Sequence, residues 1–404
     1  MNHLKILVGI KHTNDIHGVL KSSPDDFVVD ELPLYEPCGE GEHLYLRVRK
    51  SNMSHEELIR QIAKVFGVSK RDVGIAGRKD LKAVTSQMVS LYLPTSTGDV
   101  PDVIGTIDVL ESTWHTNKLR LGHLSGNRFS IRLREIDSQY HETISIRLQQ
   151  LAKTGLPNAF GPQRFGNYGN NHTLGIALIL EDWDGLIDEL LRGEERHHLF
   201  ALSGDYKHAL DAWPFGQPAE RNILEALSQG KTKQQACKTV ATPLRTLWVN
   251  AFQSSVFNEV LRQRHFDGTW NTILDGELVW NHEGGGRTFI ASPEDFENPE
   301  FQDRIASFSI SPSGPLWGAK MRMPVGQVLA LEASVLDSFG VNPGQLASIH
   351  KMAKGARRPL RVAVTNQELH NGEDDAGEFL ELKFELPAGS YATVVIDQLL
   401  RDEL

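Results

Sequence analysis

The segment Gly77-Arg78-Lys79-Asp80-Leu81-Lys82 sets one carboxylate among three cations directly after a glycine. Of all the residues in the chain, these point most directly to chemistry. An ionised carboxylate in such a loop can act as a base, or as a nucleophile that later leaves. It can equally be a solvated Asx turn, the commoner fate of a loop aspartate, and the loop by itself leaves both readings open. Other chemical patterns are sparse: the phosphate loops G-x-x-x-x-G-K-[ST] and G-x-G-x-x-G, the zinc pattern H-E-x-x-H and the nucleophile turn G-x-S-x-G do not occur. His197, His198 and His208 suggest metal ligands, but they lie among loop-forming residues with no carboxylate evidently placed to complete a set. No metal is expected there. Gly284-Gly285-Gly286 reads as a flexible turn.

The elements that must position Asp80 follow from the flanking pattern. Ser54-x-x-Glu57 is a capping box for a helix carrying Leu58, Ile62, Val65 and Phe66 on one face, ended by Gly67. The apolar run Val73 to Ala76 reads as a strand entering the loop, and residues 87–93 as the strand leaving it. Further alternation near 103–111 and 128–134 predicts more strands, and a helix over 141–153 closes at Gly155. Beyond Leu156-Pro157 the character changes. Residues 171–264 are almost wholly helical in pattern, with Thr242-Pro243 as N-cap and first residue of a long helix turning Leu244, Leu247, Trp248, Ala251 and Val256 inward. Ser311 to Gly318, with two prolines and two glycines, reads as irregular, and a helix is expected from Asn342-Pro343. Alternation returns at Leu360 to Val364 and at Leu380, Leu382, Phe384 and Leu386, followed by a helix over Ser390 to Leu400.

The 404 residues, 40% hydrophobic and 23% charged, are ample for two domains. No apolar run approaches the roughly 18 residues needed to span a bilayer, and the lysine-interrupted start lacks a cleavage site. Cys38 and Cys237 are far apart and form neither a disulfide framework nor a cysteine zinc pattern, in keeping with a reducing cytoplasm. The final Arg401-Asp402-Glu403-Leu404 resembles a retention signal, but such an address is read only on a chain already inside the secretory path. Net charge is −10, yet acid gathers in 181–195, 294–303 and 368–385 while 112–134 and 344–361 are basic and free of acid. Segregation of this kind is compatible with ordinary solvated faces, or with basic segments lining a nucleic-acid site.

Four separated motifs, in order, resemble the TruD family of tRNA pseudouridine synthases: Gly77-x-Lys79-Asp80-x-x-Ala83-x-Thr85-x-Gln87; Gly126-Asn127-x-Phe129; Pro157-Asn158-x-Phe160-Gly161-x-Gln163-Arg164-Phe165-Gly166; and Leu386-Pro387-Ala388-Gly389-Ser390-Tyr391-Ala392-Thr393. Lys21 to Glu31 looks like the family's N-terminal motif. Leu81, Ala159 and Tyr391 depart from the residues usual at those places. The resemblance implies isomerisation of uridine 13 of tRNA to pseudouridine, with Asp80 acting at the sugar. It implies Lys21 as the cation keeping Asp80 charged, and Asn127 as the residue holding Asp80 or the substrate. Phe27, Phe129 and Tyr391 would line the base pocket. Arg164 would bind phosphate or pin the domains together, and Arg357 and Arg358, in the acid-free segment, are expected to meet RNA phosphates.

The expected architecture is α+β: a catalytic domain with a mixed, mostly antiparallel sheet, made of 1–157 and 359–404, and an inserted helix-rich family domain over 158–358. The RNA would lie where the two face each other. No cofactor is implied, and the partner is tRNA, with no metal and no membrane, for a cytoplasmic monomer. Two alternatives stand beside this reading: a synthase of the same fold acting on another RNA, and an RNA-binding protein without catalysis. A carboxylate-dependent hydrolase would want a second carboxylate or a metal cluster.

Overall fold

The computed structural model describes residues 16–94 and 99–401, and the chain divides into two compact units. One comprises the described residues up to Leu156 together with those from Val362 onward, and the other is Pro157–Arg361.

In chain order the first unit contributes β1 (Phe27–Pro33), β2 (His43–Ser51), helix α1 (His55–Val65), β3 (Val73–Ile75), β4 (Val84–Tyr92), β5 (Ile107–His115), β6 (Leu124–Arg134) and α2 (His141–Thr154). The second unit opens with the helices α3 (Asn171–Ile179), α4 (Trp183–Leu190), α5 (Arg196–Leu202), α6 (Tyr206–Ala212), α7 (Pro218–Ser228), α8 (Lys233–Cys237) and α9 (Thr242–Phe266). It continues with the strands β7 (Leu278–Asn281), β8 (Arg287–Ile290), β9 (Ile310–Leu316) and β10 (Ala356–Pro359). The chain then returns to the first unit with β11 (Thr365–Asp374), β12 (Gly377–Pro387) and a helix over Ala392–Leu400.

The large sheet runs β11-β12-β6-β1-β4-β2-β5, completed by β3 and the two-residue strands Val19–Leu20 and Val103–Ile104. Its pairs are antiparallel except β1 with β4, so the fold is α+β with a mixed, mostly antiparallel sheet. That one parallel pair decides the site. Val28 stands opposite Val84, so the segments preceding both strands, Lys21 to Asp26 and Asp80 to Ala83, leave the sheet at the same edge.

Helix α1 covers the β2–β4 half of the sheet. The Ser54 side chain accepts from the Glu57 backbone N–H, and Leu58 and Ile62 pack on Leu44, Leu46, Val48, Val89 and Leu91. The buried stripe continues to Ala63 rather than to Val65, which is 52% exposed. Helix α2 ends on Gly155 as expected, at φ +87°.

In the second unit α9 is buried nearly all round along Gln253 to Leu261, the mark of a central helix. Its N-cap is Ala241, one residue before the expected Thr242, and Leu247 faces outward. Two further sequence expectations fail here. Ser311 to Gly318 is not irregular: β9 is an inner strand of the sheet β8-β7-β9-β10, with Pro312 opposite Val279 and Pro315 opposite Arg357. Asn342-Pro343 opens only a short 3-10 turn, Gln345–Ala347, with the Asn342 side chain accepting from Gly344 and Gln345 N–H groups in an Asx turn.

Candidate active site

The loop 77–83 crosses from β3 to β4 and is fastened from several sides. Lys21 Nζ donates to Asp80 Oδ2 at 2.8 Å and lies 3.8 Å from the centroid of the Phe27 ring. Lys21 has φ +61°, a left-handed conformation that costs an ordinary L-residue roughly 1–2 kcal/mol. Strain of this kind persists where surrounding contacts over-determine it, and the carboxylate and the ring are such contacts. The Asp80 side chain is 32% exposed and that of Lys21 22%. The carboxylate therefore keeps a path to solvent while resting against a cation.

Beneath the loop, Lys50 at the end of β2 is 1% exposed and donates from Nζ to the Asp80 main-chain oxygen at 3.0 Å and the Met53 oxygen at 2.7 Å. Burial pushes its ammonium below the usual lysine range, and the charge of Asp80 works the other way. Lys79 points inward. Its Nζ meets Glu31 Oε2 at 2.6 Å, as an ion pair rather than an aligned hydrogen bond, and donates to Asn127 Oδ1 at 2.8 Å. Glu31 Oε1 accepts from the Met88 N–H.

Register explains this gathering. Asn127 stands opposite Glu31 and Phe129 opposite Val29, while Phe384 stands opposite Phe129. Phe27, Val29 and Glu31 thus share a sheet face with Asn127, Phe129 and Phe384. Phe129 stacks on Phe384 at 5.4 Å between ring centroids and meets Phe27 edge-on at 6.3 Å. Phe27 and Phe129 are both buried and make an apolar floor.

The structure thus collects Asp80, Lys21, Asn127, Phe27 and Phe129 in one unit. Asn127 reaches the loop through the Lys79 ammonium. Tyr391, in the same unit, is half-buried at the N-cap of the last helix. The remaining expected residues lie in the other unit. Arg164 donates to Ser254 Oγ at 3.0 Å and lies over the Phe160 ring. Arg358 donates to both Asn158 oxygens and lies 4.1 Å from the Phe160 centroid.

Arg357, expected to meet RNA phosphates, is turned inward. It is 6% exposed, with both terminal nitrogens on the buried Glu332 carboxylate and Nε on Ser313 Oγ. With Nε and both terminal nitrogens turned inward and the side chain buried, this guanidinium is not displayed to a phosphate. Two further residues at the site have little signal in the sequence: Lys50 is a lysine at a strand end, and Glu31 only closes the Lys21 to Glu31 stretch.

The charge pattern is also rearranged by the sheet. The acids of 368–385 face the basic stretch 112–134: Arg128 donates to Glu385, Arg132 to Asp374, and Arg134 to Asp374 and Asp26. Arg134's hydrogen bond holds Asp374 at about 2. For Asp26, burial works upward, but Arg134 and the Ser23 N–H outweigh it and keep the carboxyl below its usual range. Among the histidines, a carboxylate does stand near the pair expected to lack one. Ligand atoms of Glu195, His197 and His198 lie within 4.8 Å of one another, while His208 pairs separately with Asp205. Both rings of the pair pack edge-on against Trp213.

A part-exposed carboxylate, held by one lysine at its oxygen and by another at its backbone beside buried aromatic rings, is an arrangement able to act as a base or a nucleophile. The comparisons agree in placing the chain. The family model of tRNA pseudouridine synthase D (TruD) matches residues 4–399, and the chain belongs to that family. It is 39% identical over 395 residues to tRNA pseudouridine synthase D of Geobacter sulfurreducens, covering 95% of this chain and 94% of that one. The Geotalea daltonii protein of the same name is 36% identical over 400 residues, covering 95% and 96%. A crystal structure from Methanosarcina mazei, assigned to TruD, superposes with a TM-score of 0.79 at 25% identity, covering 98% of this chain and 97% of that one.

Proposed function

We propose that this chain, an isomerase of the TruD family, converts uridine 13 of tRNA to pseudouridine with Asp80 as the reacting group. The reaction breaks the bond from N1 to the ribose, turns the uracil in place and joins C5 to the same sugar carbon. No atom is gained or lost overall, but C5 gives up its proton as N1 takes one up, so the site has to supply a group at the sugar, a shaped space for the base and a path for that proton. Asp80 meets the first need by removing a proton beside the anomeric carbon or by bonding to that carbon and leaving again. Lys21 Nζ pairs with its Oδ2 at 2.8 Å, and this contact is the observation that carries the reading.

The target base sits in a folded RNA and must be flipped out, at a cost of a few kcal/mol. The floor of Phe27 and Phe129, with Tyr391, offsets part of it by apolar contact with the uracil. Arg78 and Lys82 are exposed on either side of Asp80 and suit the phosphates flanking the flipped nucleotide. We take the enzyme to work as a cytoplasmic monomer; among the described residues no helix is long and apolar enough to cross a membrane.

The test is Asp80→Asn, which keeps shape but can act as neither base nor nucleophile. Pseudouridine formation in a tRNA transcript should vanish while RNA affinity stays within a few-fold. Product at near wild-type rate would remove Asp80 from the reaction.

A further inference from the structure

We propose that Lys50 is a positioning residue of this reaction, aligning Asp80 through its main chain; the inference rests on Asp80 being the reacting group. A buried ammonium is expensive unless something compensates it, and here the compensation has an unusual form. Lys50 Nζ donates to two neutral carbonyl oxygens, those of Met53 and Asp80, at 2.7 and 3.0 Å. It makes no ion pair within 4 Å among the described residues. The carboxylate whose charge acts on it is that of Asp80, the residue whose backbone it grips.

The other charge acting on it is that of Lys79 from the same loop, which is itself engaged with Glu31 and Asn127. His55, at the start of α1, feels the Lys50 charge in turn. Opposite Lys50 in register stands Thr85 of β4, fully buried. At Asp80 itself the main chain is therefore held from the sheet side by the Lys50 side chain. Lys21 then takes the carboxylate from the open side. With one lysine on the carbonyl and another on the carboxylate, both ends of Asp80 are fixed before substrate arrives.

A pure packing role would be met as well by an uncharged side chain of the same length, which gives the test. Lys50→Met keeps the stem and deletes the donors. A misplacement near 1 Å costs on the order of 100-fold in rate, so kcat should fall about 30- to 100-fold with KM for tRNA within about threefold. Amide hydrogen exchange in 77–83 should quicken, while exchange in 171–264 stays as in the wild type. Retention of kcat within threefold overturns the proposal, and so does a lost kcat with unchanged loop exchange.

If Lys50→Met does not fold, Lys50→Ala purified in ethylammonium decides the matter, because the added amine can fill the vacated position. The kcat should rise and fall with amine concentration, and an amine-independent kcat, or none at any concentration, refutes the role. Asp80→Asn in the same buffer separates the two readings. Activity there would defeat the assignment of Asp80, whereas an inactive Asp80→Asn beside a fully active Lys50→Met would defeat only that of Lys50.

Discussion

Replacing Lys79 by methionine tests whether the lysine of the loop motif is structural support for the carboxylate beside it. The Lys79 and Glu31 side chains are 4% and 2% exposed, with Nζ 2.6 Å from Oε2. Deleting the cation leaves Glu31 buried with the Met88 N–H on Oε1 as its remaining hydrogen bond among the described residues. Breaking a buried pair from one side typically costs about 3–5 kcal/mol, and the surviving N–H places this case near 3. In a unit of this size 1 kcal/mol moves the midpoint by about 2–4 °C, so the sheet unit should melt roughly 6–12 °C lower. Calorimetry of Lys79→Met, Glu31→Leu and the double variant measures it. The double variant should regain most of the loss, because an apolar pair of similar volume needs no counter-charge. A single-variant loss below about 1 kcal/mol, or a Glu31→Leu effect that is the same in both backgrounds, would refute the reasoning.

Arg357→Ala should lower the melting temperature of the 157–361 unit and leave the salt dependence of tRNA binding unchanged, since it strands the buried Glu332; a reduced salt slope would show that Arg357 meets RNA after all. By contrast, Arg78→Ala with Lys82→Ala should flatten the plot of log affinity against log salt by roughly 0.7 to 0.9 for each phosphate no longer neutralised, while sparing the rate at saturating tRNA. An unchanged slope would move the RNA path elsewhere. Burial holds His172 and His282, both in the 157–361 unit, at about 4, with Arg361 adding to the effect on His282. The unfolded chain binds protons at these sites from about 6.5 downward while the folded one does not, so stability is full above that pH and falls until about 4. Melting temperatures should drop between pH 7 and 4.5, and replacing both histidines by leucine should weaken the drop; a flat profile in the wild type would contradict this.

Local order and motif identity were legible in the residue order alone. Ser54, Gly155 and the alternating Leu380 to Leu386 act through neighbours four residues away or fewer, so the helix starts, stops and strand faces they announce appear where expected. The strand β9 was hidden for a related reason. Proline and glycine break most local patterns, and only the partners β7 and β10 make Ser311 to Leu316 a strand. Val65 and Leu247 had the right spacing for a buried face, but burial depends on whether a neighbouring element extends that far.

The site divides along the same line. Asp80, Lys21, Asn127 and the two phenylalanines are singled out through motifs that resemble the TruD family, because a motif is carried by residue identity and order alone. What each one touches was settled by register and chain crossing. The parallel pairing of β1 with β4 brings Lys21 beside Asp80 across 59 positions of sequence. The antiparallel pairing of β12 with β6 sets the acids of one stretch on the arginines of another, so charges segregated along the chain neutralise each other in space. Arg357 looked free because its partner, Glu332, lies 25 residues away in another element, and Lys50 looked ordinary because the carbonyls it holds belong to backbone. Long-range partners and main-chain acceptors leave no trace in residue order, and only the tertiary structure decides them.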